Sequence, residues 1–155
     1  MTLEIRVASL ADLDALIELD RACFSRPWTP TQWHDELAPS GALEPAVLIA
    51  HADARPIAYA CAPRLAEVAE LRRIGVVTEA RARGVGRDLL DRVIDHAKLA
   101  GCTRIELEVA ADNHAAIALY QRKGFRRVGL RPRYYLDPIA DALIMDLSLA
   151  RESPF

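Results

Sequence analysis

Arg81-Ala82-Arg83-Gly84-Val85-Gly86 places two arginines and two glycines directly ahead of an apolar helical stripe. That combination suits an anion. Gly84 and Gly86 have no Cβ, so the backbone can bend there and a ligand can come close. The N–H groups of the first helical turn have no partner inside the helix, and the helix dipole adds a favourable field at the same spot. Arg81 and Arg83 would add charge-assisted hydrogen bonds. A pyrophosphate fits this chemistry. Neither the Gly-x-Gly-x-x-Gly of dinucleotide folds nor the Gly-Lys-Ser/Thr of P-loops is present, so any phosphate site is of another kind. A glycine-bearing turn with solvated arginines meets the same spacing.

Other residues carry proton chemistry. From Thr103 to Val109, Ile105, Leu107 and Val109 alternate with Glu106 and Glu108. Both carboxylates therefore share the face opposite the apolar one. Solvated charges would show the same pattern. Tyr120 sits beside Leu119 on a short helical segment, where a half-buried tyrosine with a satisfied hydroxyl is the ordinary outcome. Asn113 would cap that helix. Trp28 and Trp33 flank a helix start and would line a groove or pack a core. His34, His51, His96 and His114 show no ligand spacing, so no metal is assigned.

These residues need elements to position them. Glu4 to Ala8 reads as a strand. Ser9 then caps a helix whose apolar positions are Leu10, Leu13, Leu16, Ile17 and Phe24. Pro27 breaks it. Thr29, Pro30 and Gln32 form a capping box for a second helix, which fades between Pro39 and Gly41. Ala46 to His51 and Pro56 to Leu65 form a hairpin whose connection, Ala52 to Arg55, holds no glycine. Leu71 to Val77 is one further strand. Val85, Leu89, Leu90, Val93, Ile94 and Ala97 form one helical stripe that Gly101 stops. Thr103 to Val109 is a strand and Asn113 to Arg122 a helix closed by Gly124. Phe125 to Arg133 and Asp141 to Leu149 are the last strands, and Arg151 to Phe155 a loose tail. The order β-α-α-β-β-β-α-β-α-β-β predicts an α/β (α+β) fold, with helices on the faces of a mixed sheet, in one domain over residues 1–155.

With 52% hydrophobic and 27% charged residues, the 155-residue chain has the balance of a globular domain. A net charge of −2 gives no basic excess for nucleic acid or an anionic membrane. Three cysteines, far apart and odd in number, argue against a disulfide framework and for a reducing cytosol. The polar stretch Met1 to Arg6 is no signal peptide, and no apolar run is long enough to span a bilayer. The expected protein is therefore cytoplasmic, without nucleic acid or membrane as partner.

Taken together, these motifs resemble the GNAT superfamily of N-acetyltransferases. Arg81-x-x-Gly84-x-Gly86 matches its Arg/Gln-x-x-Gly-x-Gly/Ala fingerprint, and Leu71 to Val76 sits where the family has its cofactor-pairing strand. Leu107-Glu108-Val109, Asn113, Ala115 to Tyr120 and Gly124-Phe125 follow the second half of the pattern. The resemblance implies a GNAT-like mixed, mostly antiparallel sheet of about seven strands with helices on both faces. It implies acetyl-coenzyme A (acetyl-CoA) as cofactor. Ile74, Gly75 and Val76 would pair with it, Arg81, Arg83, Gly84, Val85 and Gly86 would hold its pyrophosphate, and Asn113 would touch it. It further implies Glu108 as general base, directly or through water, and Tyr120 as general acid near sulfur. The Val76 N–H would polarise the carbonyl.

Pro27-Trp28-Thr29, Arg133-Tyr134-Tyr135 and Asp141 to Met145 resemble the ribosomal-protein-alanine N-acetyltransferases. This implies a peptide N-terminus bound near Trp28, Tyr134 and Tyr135. Tyr59-Ala60-Cys61 and Arg72-Arg73 depart from that pattern. The alternatives are a small-molecule amine as acceptor, or a catalytically silent coenzyme A-binding module. Proton affinity favours an α-amine: with reference pKa values of about 7.8 and 10.4, roughly one α-amine in seven is neutral at pH 7, against fewer than one lysine in a thousand.

Overall fold

The computed structural model describes residues 2–38, 46–136 and 139–149. The expected fading of the second helix at 39–41 and the tail at 151–155 lie outside the described residues. The chain forms two compact units, Met1–Pro63 with Arg72–His96, and Arg64–Leu71 with Ala97–Phe155.

The first unit holds a four-stranded sheet. Its strands are β1 (Leu3–Val7), β2 (Val47–Ala52), β3 (Arg55–Cys61) and β6 (Arg73–Val76), in the order β1-β2-β3-β6 and all antiparallel. Helices α1 (Leu13–Cys23) and α2 (Pro30–Leu37) pack on one face through Leu16, Leu19, Trp33 and Leu37, against Val47, Ile49, Tyr59 and Cys61. Each such large apolar side chain taken from water contributes about 1.5–3 kcal/mol. Leu48, Ala50, Ala58 and Ala60 on the other face are buried too, so the sheet is covered on both sides. Ser9 begins a 3-10 turn over Leu10–Asp12, and α1 starts only at Leu13, which leaves Leu10 exposed. The capping box of α2 forms as the sequence dictates: Gln32 N–H donates to Thr29 Oγ1 at 3.1 Å, and Thr29 N–H to Gln32 Oε1 at 2.8 Å.

The hairpin between β2 and β3 turns on Asp53 and Ala54, with φ of 51° and 67°. These are the left-handed values a two-residue hairpin needs, reached here without glycine. Asp53 is tied down, since its N–H donates to the Thr2 carbonyl at 3.2 Å and its Oδ1 accepts from Thr2 N–H at 3.3 Å. Ala54 carries the Cβ penalty of that region. Ala54→Gly should therefore raise stability by about 0.5–1 kcal/mol, the left-handed cost less the extra entropy of glycine. A urea titration reads this as a higher midpoint, and a lower one would rule the strain out.

The second unit holds β4 (Arg64–Leu65), β5 (Val68–Leu71), β7 (Arg104–Ala110), β9 (Ile139–Ser148) and β8 (Arg126–Leu136), in that spatial order. The β5–β7 pair is parallel and the others antiparallel. Ile105, Leu107 and Val109 point into its core with Met145, while Glu106 and Glu108 take the other face, as the alternation predicts. Asn113 caps α4 (His114–Arg122), its Oδ1 accepting from Ala116 N–H at 3.2 Å.

Among the described residues there are nine strands in two sheets, where the sequence pointed to about seven in one. The runs Pro56 to Leu65 and Leu71 to Val77 each divide. The second divides at Arg72, whose N–H donates to the Cys61 carbonyl at 2.8 Å although Cys61 is the register partner of Arg73. Two residues opposite one make a bulge, and the strand changes sheets there. The stripe of α3 (Val85–Leu99) is as expected, with Val85, Leu89, Leu90, Val93 and Ala97 buried. Gly101, at φ 82°, ends it, and Cys102 N–H returns to the Ala97 carbonyl.

Candidate active site

In the first unit, β6 is the end strand of its sheet. Val77 N–H donates to the Ile57 carbonyl at 2.9 Å, so by the alternation of an antiparallel ladder Gly75 also faces β3. Ile74 and Val76 then turn their backbone groups to the outer edge. The Val76 carbonyl confirms this direction, because it accepts from Arg81 Nε at 3.0 Å. The edge thus presents N–H groups of the kind that would pair with an extended amide-bearing ligand. Gly75 is required for packing. A Cβ there would come within 2.8 Å of the Tyr59 ring.

The turn after β6 has Ala82 at φ 63° and Gly84 at φ 78°. The first bond of α3 runs from Asp88 N–H to the Gly84 carbonyl at 3.0 Å. The N–H groups of Val85, Gly86 and Arg87 precede it and have no intrahelical acceptor. A Cβ on Gly84 would lie 2.8 Å from Arg87 Nη2, so this guanidinium folds over the glycine turn. Backbone donors without a helical acceptor, a bare glycine and a guanidinium together fit a pyrophosphate. Arg81 is bonded within the turn. Its Nε latches the turn to the end of β6, while Arg83 is exposed. Arg87, which the sequence reading did not single out, lies beside the same turn.

In the second unit, Glu108 is half-buried and does not stand alone. Arg131 Nε lies 3.1 Å from Glu108 Oε1, and the Arg131 guanidinium sits 5.6 Å from the Tyr134 ring centroid. Hydrogen bonding to Glu108, then its charge, raises the Tyr134 hydroxyl above its usual pKa. Tyr135 is raised by burial first and by the charge of Glu108 second. Strand β8 makes this cluster by losing register between Arg131 and Tyr135. Pro132 has no N–H to give the ladder, Arg133 takes φ 53°, and the Arg133 N–H donates to Asp141 Oδ1 at 2.8 Å. The strand therefore runs on through Tyr134 and Tyr135 to Leu136 instead of ending at Arg133. Tyr120 is buried, with its ring 5.7 Å from Phe125. Burial pushes its hydroxyl up to about 12, with Tyr135 a smaller contribution.

Trp28 belongs to the first unit and is half-buried. Its N–H donates to Asp20 Oδ2 at 2.7 Å, and its ring packs tilted against Trp33, with centroids 4.8 Å apart. Trp33 is fully buried, so it packs the core and lines no groove. Asp20 escaped the sequence reading altogether. It is fully buried and also accepts from Tyr59 OH at 2.5 Å, Trp33 Nε1 at 3.2 Å and Arg73 at 2.9 Å. Its signal was present: Asp20 lies four residues after Leu16 and four before Phe24, on the apolar stripe of α1.

Comparison with known proteins converges on one family. Residues 13–125 match the acetyltransferase (GNAT) family. An uncharacterized protein of Mycobacterium leprae is 39% identical over 87% of the chain, although the chain spans only 38% of its length. An N-alpha-acetyltransferase of Mycobacterium tuberculosis is 38% identical, with 87% of the chain and 85% of the relative aligned. The crystal structure of the ribosomal-protein-S18-alanine N-acetyltransferase from Escherichia coli superposes with a TM-score of 0.86 at 29% identity, covering 99% of each chain. The edge strand, the glycine turn opening α3 and the Glu108 cluster thus sit in a chain that belongs to the GNAT family of acetyltransferases.

Proposed function

We propose that the protein transfers the acetyl group of acetyl-coenzyme A to the α-amine of a protein N-terminus, with a ribosomal protein beginning in alanine as the acceptor class. The observation that carries the acceptor assignment is Glu108, a carboxylate held by Arg131 and bonded to the exposed Tyr134. The similarity to enzymes named for α-amine and ribosomal-protein-alanine acetylation supports it. The family match takes residues from both compact units, which supports reading the chain as one catalytic domain. A ribosomal acceptor also assigns the protein to the cytoplasm.

Acetyl-coenzyme A, when bound, supplies an activated thioester. The N–H groups of Val85, Gly86 and Arg87, with the Arg87 and Arg83 guanidinium groups, would hold its pyrophosphate. Asn113 would add a contact while capping α4. Ile74 and Val76 would pair with its extended arm, and the Val76 N–H would stabilise the negative charge that develops on the carbonyl oxygen. Glu108 would take the proton from the attacking nitrogen, directly or through water, as the N–C bond forms. Tyr120 would give its proton to the sulfur as the C–S bond breaks. Trp28, Tyr134 and Tyr135 would border the acceptor.

Thiol release from acetyl-coenzyme A with short peptides beginning in alanine tests this reading. Turnover of such peptides is the expected result. Turnover of polyamines or aminoglycosides without peptides would assign a small-molecule acceptor. Cofactor binding without any transfer would make the protein a silent binding module.

A further inference from the structure

The segment between α1 and α2 is fixed by residues outside it. Phe24 N–H donates to the Asp20 carbonyl at 3.0 Å, and Trp28 N–H donates to the Asp20 carboxylate. Arg73, on β6, reaches the same carboxylate with Nη1, at 2.9 and 3.1 Å from its two oxygens. Its Nη1 and Nη2 also donate to the Arg26 carbonyl at 3.3 and 3.4 Å. The guanidinium carbon lies 4.2 Å from the Phe24 ring centroid and 4.9 Å from that of Trp28. One planar cation therefore meets the segment at three residues while paired with a buried acid. Lysine cannot do this, since it has no fork and no flat face.

We propose that Arg73, through Asp20, is a positioning residue for the acceptor. It holds Phe24 to Trp28 as a preformed wall, so that the acceptor does not have to order this segment when it binds. The proposal rests on the reading of Trp28 as part of the acceptor site. An ordered wall lowers the cost of binding and leaves the bond-making step alone, so its loss appears in the acceptor KM.

Arg73→Lys is the informative variant because it keeps a charge beside Asp20 while losing the fork and the stacking. We expect the KM of an alanine peptide, or of whichever amine the native protein turns over, to rise about tenfold. The KM for acetyl-coenzyme A and kcat should stay within about twofold. Acrylamide should quench tryptophan fluorescence more in the variant. Trp33 is fully buried, so the added quenching would come from Trp28. The double variant Asp20→Asn with Arg73→Gln removes both charges together and should give the same selective rise, which covers the case of a poorly folded lysine variant. Increased quenching with an unchanged acceptor KM would overturn the proposal and leave Arg73 a packing residue. Trp28→Ala separates the two levels of inference. If it raises the acceptor KM and Arg73→Lys does not, only the role of Arg73 falls. If neither does, the placement of the acceptor beside Trp28 falls with it.

Discussion

Tyr120→Phe should lower kcat by about 10²- to 10³-fold, the usual worth of a positioned proton donor. The ring keeps its place against Phe125, so only the hydroxyl is lost. Affinity for acetyl-coenzyme A, measured by calorimetry, should therefore hold. The pH dependence sharpens the test. A general acid must be protonated, and burial raises the Tyr120 hydroxyl to about 12. At pH 9 only about one molecule in a thousand would have lost that proton. The kcat of the native protein should thus show no alkaline decline from Tyr120 below about pH 11. An unchanged kcat in the variant would remove Tyr120 from the chemistry.

Asp20→Ala should cost about 3–5 kcal/mol, because it leaves a guanidinium charge buried without its partner. The Arg73 side chain is only 16% exposed and has no easy route to water. The same change strips an acceptor from Tyr59 OH, Trp33 Nε1 and Trp28 N–H. For a chain of this length the loss corresponds to a fall in Tm of roughly 10 °C. Thermal unfolding followed by circular dichroism reads it directly. A loss under about 1 kcal/mol would mean that the donors find other partners at no cost.

Elements governed by neighbours in sequence were legible before any coordinates. The Thr29–Gln32 capping box, the α3 stripe with its Gly101 stop and the alternation of β7 each depend on residues a few positions apart. The Asp53–Ala54 turn was obscured because no glycine marks its left-handed pair. The division at Arg72 was hidden because each half satisfies strand propensity, and only their different pairing partners separate them. Likewise, the fingerprint marked the turn but not the bond from Arg81 to the Val76 carbonyl, since a regular pattern cannot say which acceptor a long side chain will choose. The partners of Asp20 come from 8 to 53 residues away, beyond any local pattern. Arg131 reaches Glu108 from two strands across the sheet, with β9 between. Asp20 on the apolar stripe of α1 left a trace in the sequence, yet nothing among its neighbours there named its partners.

The outer edge of β6 has a consequence for handling the protein. An end strand that turns backbone groups outward is a template for another strand, even with the Val76 carbonyl held by Arg81. A ligand that pairs with Ile74 and Val76 would cover that template as an added strand does, and would stabilise the folded chain by mass action. Occupied by its cofactor, the protein should resist self-association during concentration and storage.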